Sequence, residues 1–129
     1  MSTVTQANIR IDQGTEFETT IIIEDSNSDP VDLSQYEIFG QIRKTYASSK
    51  FFPFEINMGF ASEGEIGIRF PSSRSIEMRP GRYMYDIHGR LLINNGEDWP
   101  DDSIQVYKFV EGTVDIAPRI SKIEDKENG

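Results

Sequence analysis

The chain has 129 residues, of which 36% are hydrophobic and 27% are charged, a size and composition typical of one folded domain and too small for a large multidomain enzyme. Its 22 acidic and 13 basic residues give a formal net charge of -9, so its field repels nucleic acid and anionic membranes, and we expect neither as a partner. The chain has no cysteine, which excludes disulfides, thiolate catalysis and zinc sites with sulfur ligands.

The amino-terminal segment has neither the basic stretch nor the apolar run of a secretory signal, and no apolar run in the chain exceeds three residues. We therefore expect a soluble protein that is made in a cytoplasm.

Apolar and polar residues alternate in the first half of the chain, a pattern typical of half-buried strands. The alternation predicts strands at 8–11, 15–24, 36–44 and 50–58. Phe39 falls on the opposite face of its strand from the other apolar residues there. Pro53 favours an edge position for the fourth strand, because proline cannot donate to a ladder.

The second half continues the alternation. Strands are predicted at 65–70, 82–87 and 104–116. Residues 71–78 allow one helical turn, with Ser72 or Ser73 as a cap and Ile76 packed inward, before Pro80 and Gly81 end it. The strand that begins at Arg82 is expected to continue towards residue 93.

The last predicted strand has its apolar residues on one face and an irregularity in its middle. The residues of one parity are Val106, Lys108, Val110, Gly112, Val114 and Ile116. The pair Glu111 and Gly112 in its middle indicates a bulge or a close approach of another backbone segment.

About seven short strands separated by turn-forming clusters predict an all-β fold, a small antiparallel β-sandwich, with a small closed barrel as the alternative. Residues 1–120 are predicted to form this single domain. Residues 121–129 are charged and aperiodic, and we expect a mobile carboxyl-terminal tail.

His88 is the single histidine, and it follows Asp86 by two residues on one predicted strand. Both side chains therefore lie on the same face, as a general base and its orienting carboxylate would. A nucleophile would have to be a serine, and none lies in a nucleophile-elbow sequence. A solvated polar face is the favoured interpretation, so no catalytic residue is predicted.

Residues 25–29 match the opening spacing of a calcium-binding loop. The match then fails, because Pro30 occupies the glycine position and Tyr36 the position of the bidentate glutamate. A turn stabilised by aspartate side chains is predicted instead, and no metal or cofactor is expected.

An acidic segment surrounds the single tryptophan of the chain. It comprises Glu97, Asp98, Trp99, Asp101 and Asp102. A large aromatic side chain on a loop is a typical anchor for a partner protein, and these five residues are the candidate partner contacts. The alternative is that Trp99 covers the end of the core. The segment before Ile9 and the carboxyl-terminal tail are further contact candidates, because we expect both to be free in the monomer and to become ordered on binding.

Three segments, 29–46, 80–87 and 110–121, resemble a group of small tailed-bacteriophage virion proteins. In that group an Asp-Pro-Val-Asp-Leu turn precedes a Gln-Ile-Arg strand, followed by Gly-x-Tyr-x-Tyr-Asp and then Glu-Gly-x-Val. The resemblance spans about residues 9–121. It implies an immunoglobulin-like β-sandwich similar to the amino-terminal domain of baseplate upper proteins.

The resemblance also implies a function. We expect a non-enzymatic structural protein of the virion, a tail or baseplate adaptor or another particle component, with other virion proteins as its partners in multiple copies. A capsid decoration protein of the same fold is one alternative. The other is a carbohydrate-binding module that recognises host surface glycan through Trp99 and exposed tyrosines.

Overall fold

The computed structural model describes residues 5–92 and 105–121. Nine strands are present in these ranges: β1 Thr5–Gln6, β2 Ile9–Asp12, β3 Phe17–Ile22, β4 Tyr36–Arg43, β5 Phe52–Pro53, β6 Glu55–Asn57, β7 Glu65–Phe70, β8 Gly81–Leu91 and β9 Val106–Ala117. A 3-10 turn at Ala61–Glu63 and the four-residue helix α1, Ser72–Ser75, complete the elements. Within the described ranges, no helix has the length and apolar character needed to cross a membrane.

The strands form two separate sheets, which confirms the predicted all-β sandwich over the closed barrel. The larger sheet has the order β1-β9-β8-β4-β5, with β2 also paired to β9, and the smaller sheet has the order β3-β7-β6. Pairing is antiparallel except at the amino terminus, where β1 and β2 run parallel to β9. The expectation of a purely antiparallel fold was therefore wrong there, because alternation reveals which face of a strand is buried but not its direction.

The core lies between the two sheets. It receives alternate residues of several strands, such as Ile66, Ile68 and Phe70 of β7, all of which are buried. The Phe54 ring joins the sheets, since it lies edge-on to Phe70 of the small sheet and to Tyr85 of the large one, with both centroid distances 5.7 Å.

The strand predicted at 50–58 is instead two short strands in different sheets. β5 pairs with β4 at the edge of the large sheet, and β6 pairs with β7 in the small sheet. Phe54 lies between them and is buried at the crossing point. The edge position of Pro53 is confirmed, because β5 is the outermost strand of the large sheet.

The irregularity predicted at Glu111 and Gly112 resolves into two features. The register shifts between Ile87, opposite Val110, and His88, opposite Lys108, so Phe109 is the extra residue of a bulge. Phe109 and Val110 are consecutive and both buried. The single parity predicted from Val106 onwards is therefore wrong before the bulge, where Val106 is half exposed.

Gly112 is the site of the close backbone approach. A Cβ atom at this position would overlap the carbonyl oxygen of Ala7 and lie 2.8 Å from its carbonyl carbon. The Ala7 N–H donates to the Glu111 oxygen at 3.0 Å, and the Tyr85 hydroxyl donates to the Ala7 oxygen at 2.7 Å. Residues 5–8 are thereby joined to the sheet, so the expectation that the segment before Ile9 is free is wrong for these residues.

The helical turn forms as predicted but with a different inward face. Pro71 is at the N-cap position, and neither Ser72 nor Ser73 caps the helix with its side chain. Ile76 is exposed, whereas Ser75 and Met78 are buried. One short turn presents only one side to the core, and the spacing of Ser75 and Met78 places both there.

Ser75 ties this turn to the chain that precedes β3. Its hydroxyl donates to the Thr15 oxygen and accepts from the Gly14 N–H, each at 3.0 Å. We expect Ser75→Ala to destabilise the fold by about 1 to 3 kcal/mol, because the buried hydroxyl and its two hydrogen bonds to part-buried backbone groups are lost. Urea unfolding measures the change, with the exposed Ser73→Ala as control. Equal stability of the two variants would contradict the role of this hydroxyl.

We expect stability to fall between about pH 10 and pH 12 because of Tyr85. Burial raises the pKa of Tyr85 from 10.0 to about 12. In this window the unfolded chain has released the phenolic proton while the folded chain retains it, so a rise in pH favours unfolding. Each pKa unit corresponds to about 1.4 kcal/mol, so the loss is about 2 to 3 kcal/mol.

Urea midpoints across this alkaline range measure the effect. The Tyr85→Phe variant should lose less stability than the parent chain as pH rises, because it has no proton to release at that position. The Tyr46→Phe variant removes a hydroxyl from a side chain that is 87% exposed and should follow the parent. The same slope for Tyr85→Phe and the parent would contradict the assignment.

Candidate functional site

A depression of about 520 Å³ lies on the solvent face of the large sheet. The central strands β4, β8 and β9 supply most of its lining through the residues that alternate with the buried ones. The polar and charged side chains that line it include Gln6, Gln41, Arg43, Asp86, His88, Lys108 and Glu111. Phe39 lies on its surface, and Tyr46 lies at the turn that follows β4.

The register of β4 and β8 brings an aromatic pair together in this depression. Phe39 is directly opposite His88. Their rings are stacked, with centroids 5.5 Å apart and an angle of 10° between the planes. Phe39 remains 41% exposed, which places a supported aromatic surface beside polar groups.

The bulge at Phe109 determines the rest of the lining. Lys108 and Glu111 are three residues apart and would point to opposite faces of a regular strand. The extra residue between them restores a common face. The Lys108 Nζ atom then lies 3.1 Å from a Glu111 oxygen, and this hydrogen bond raises the pKa of Lys108.

The polar side chains of the depression are held by one another. The Gln6 amide donates to the second Glu111 oxygen at 2.7 Å. Arg43 donates to the Gln41 side chain at 3.2 Å and to the Ser48 backbone oxygen at 3.1 Å. These contacts fix the orientation of the groups before any ligand arrives.

The His88 and Asp86 side chains do lie together, as their spacing predicted. His88 Nδ1 is 3.2 Å from an Asp86 oxygen. No serine is among the described residues that line the depression, and the buried Tyr85 hydroxyl donates to Ala7. The geometry is that of an imidazole fixed between a carboxylate and a phenyl ring.

The candidate partner contacts around Trp99 are not tested by the structure. Glu97, Asp98, Trp99, Asp101 and Asp102 lie outside the described residues, so the partner role of this segment stays a prediction.

The turn at 25–29 forms as expected. A carboxylate oxygen of Asp25 accepts from the N–H groups of Asn27 and Asp29 at 2.8 and 3.0 Å. Across 5–92 and 105–121, no group of three or more histidine, aspartate or glutamate side chains is arranged to hold a metal ion.

Sequence reasoning missed most of the depression. The outward position of Phe39 was evident from the alternation, and so was the common face of Asp86 and His88. Lys108 was assigned to the apolar face of its strand, because the bulge at Phe109 leaves no clear signal in the sequence.

Comparison with known proteins provides no family assignment. No family model matches the chain, and no curated protein matches it. A family 123 glycoside hydrolase from Clostridium perfringens, whose structure was analysed for glycolipid glycan hydrolysis, matches 92% of this chain at 13% identity and a TM-score of 0.39. The chain spans 24% of that structure. A similarity this low supports no inference about the function of the chain.

Proposed function

We propose that the chain is a non-enzymatic structural component of a tailed-phage particle that acts through protein–protein contacts, in the tail or baseplate. The observation that carries the proposal is the location of the three phage-like segments. They contain all of β4, residues 81–87 of β8 and residues 110–117 of β9, and these three strands are adjacent in one sheet. Likeness in three adjacent strands supports a shared scaffold, and the role itself depends on the surfaces that this scaffold presents.

The surface of the small sheet offers contacts of the kind that such a role requires. β3 pairs with β7 on one side, and within the described ranges its other backbone edge has no paired strand. Ile22 at the end of β3 is 55% exposed. Phe60 is 64% exposed and lies at the same end of the small sheet. Its carbonyl oxygen accepts a hydrogen bond from the N–H of Glu65, and Glu65 is the residue of β7 opposite Ile22. An open strand edge beside exposed apolar groups is a common site of subunit contact.

Quantitative mass spectrometry of purified particles tests the proposal. Phage particles are isolated from the bacterium that carries the gene, disrupted, and compared with a particle-free lysate fraction. We expect peptides of this chain at a fixed ratio to the major tail protein in every preparation. Absence of the chain from particles that contain all other tail proteins would overturn the proposal. A fixed ratio to the major capsid protein in tail-less heads would favour the decoration alternative.

A further inference from the structure

We infer that the depression on the solvent face of the large sheet binds a short neutral oligosaccharide. The residues proposed to bind it, such as Phe39 and Tyr46, are not those of the acidic segment around Trp99. The inference goes beyond the assembly role and does not depend on it, since the ligand contacts belong to the sheet of a single chain. Aromatic surface, hydrogen-bonding capacity, charge balance and the central position of β8 in the sheet together carry it.

Two aromatic side chains, Phe39 and Tyr46, line the depression and are exposed to solvent. Phe39 is stacked on His88, which fixes its ring. Tyr46 is 87% exposed, although it lies in an ordered turn in which the Ser48 N–H donates to the Thr45 oxygen at 3.1 Å. Exposed, positioned rings provide the apolar surface on which the C–H faces of a sugar pack.

The polar lining matches the hydroxyl groups of a sugar. Asp86 and Glu111 are hydrogen-bond acceptors, whereas Arg43 and Lys108 are donors, and Gln41 offers both functions. A sugar hydroxyl donates and accepts at once, so it can use neighbouring groups of both kinds. Because the contacts among these side chains are already formed, little of their conformational freedom remains to be lost on binding.

The charges of the site favour a neutral ligand. The carboxylates of Asp86 and Glu111 are balanced by Arg43 and Lys108 within the same depression. The chain as a whole has a formal net charge of -9, which disfavours sulfated, sialylated or phosphorylated ligands by long-range repulsion.

The position of the site on the sheet disfavours an extended peptide as the occupant. Peptides bound to sheets commonly pair with a free strand edge. Here β8 lies between β4 and β9, and β9 lies between β8 and the amino-terminal strands. β8, at the centre of the depression, is thus paired on both sides and presents only side chains to the ligand. The volume of about 520 Å³ lies within the range of small-molecule sites.

A glycan array probed with the labelled full-length chain tests the inference. The array carries neutral, sialylated and sulfated oligosaccharides, and the strongest neutral ligand is then titrated by calorimetry. We expect Tyr46→Ala and Phe39→Ala each to weaken binding about tenfold. Phe60→Ala, which removes an exposed ring outside the depression, should bind as the parent does. Thermal unfolding of each variant verifies that it is folded, and Tyr46→Ala serves if Phe39→Ala is unstable.

Three results would overturn the inference. The first is that the chain binds no neutral glycan at millimolar concentration, and the second is that it binds only anionic glycans. The third is that it binds a neutral glycan with an affinity that neither Tyr46→Ala nor Phe39→Ala changes. NMR could also show that a chain which binds no glycan uses the same residues to self-associate or to bind a peptide. That result would mean that this surface binds a protein and not a sugar. None of these readouts requires incorporation into a particle, so this test and that of the assembly role fail separately.

Discussion

Replacement of Gly112 with alanine is expected to destabilise the chain by about 3 kcal/mol or more, among the largest effects of a single methyl group in this fold. The added Cβ atom would overlap backbone atoms of Ala7. A flexible side chain could move aside, but the Ala7 backbone cannot, because β1 and β2 on either side of it are paired with β9. Ala7 is held from two sides, by the Glu111 carbonyl and by the Tyr85 hydroxyl. Relief of the overlap would require β1 and β2 to separate from β9.

Gly67→Ala is the matched control, because the nearest atom to its added Cβ would be the Asn57 Cβ atom at 3.2 Å. We expect this variant to stay within about 1 kcal/mol of the parent. Urea unfolding compares the two, and amide hydrogen exchange locates the damage. Exchange in Gly112→Ala should increase most at Ala7, whose N–H donates to the Glu111 oxygen. Equal stability of the two variants would show that the amino-terminal strand does not pass over Gly112.

Truncation of Phe70 to alanine is expected to cost about 3 to 5 kcal/mol. Phe70 is fully buried at the end of β7, and its ring meets Phe54, which in turn meets Tyr85 of the other sheet. Loss of the ring would leave a cavity between the sheets that neighbouring strands cannot fill. Thermal or urea unfolding measures the loss.

Phe60→Ala provides the comparison for Phe70, since it removes the same atoms from a side chain that is 64% exposed. A change within about 0.5 kcal/mol is expected for this control. If the two variants were equally stable, the apolar core would not lie between the two sheets as described.

The strands with uninterrupted alternation were predictable from the sequence, because one face of each is buried and the other is not. β7 begins and ends where the alternation predicted, and β8 continues to Leu91 as expected. The outward position of Phe39 followed from the same rule. The shared parity of Asp86 and His88 placed their side chains together before any tertiary contact was known.

Features that depend on tertiary contacts were not predictable in this way. Alternation is the same for parallel and antiparallel pairing, so the direction of β2 relative to β9 could not be derived. Phe54 is apolar in either sheet, and nothing local indicates that the chain changes sheets there. The bulge at Phe109 can be identified only from the pairing of β9 with β8, and it alone determines that Lys108 and Glu111 meet.

The most direct test of the proposed assembly role is an electron cryomicroscopy map of the intact phage particle, with the chain identified by fitting its two-sheet domain into the density. We predict copies of the domain at symmetry-related positions in the tail or baseplate, each in contact with neighbouring virion proteins. A complete map of the particle in which no density fits the domain would contradict the account.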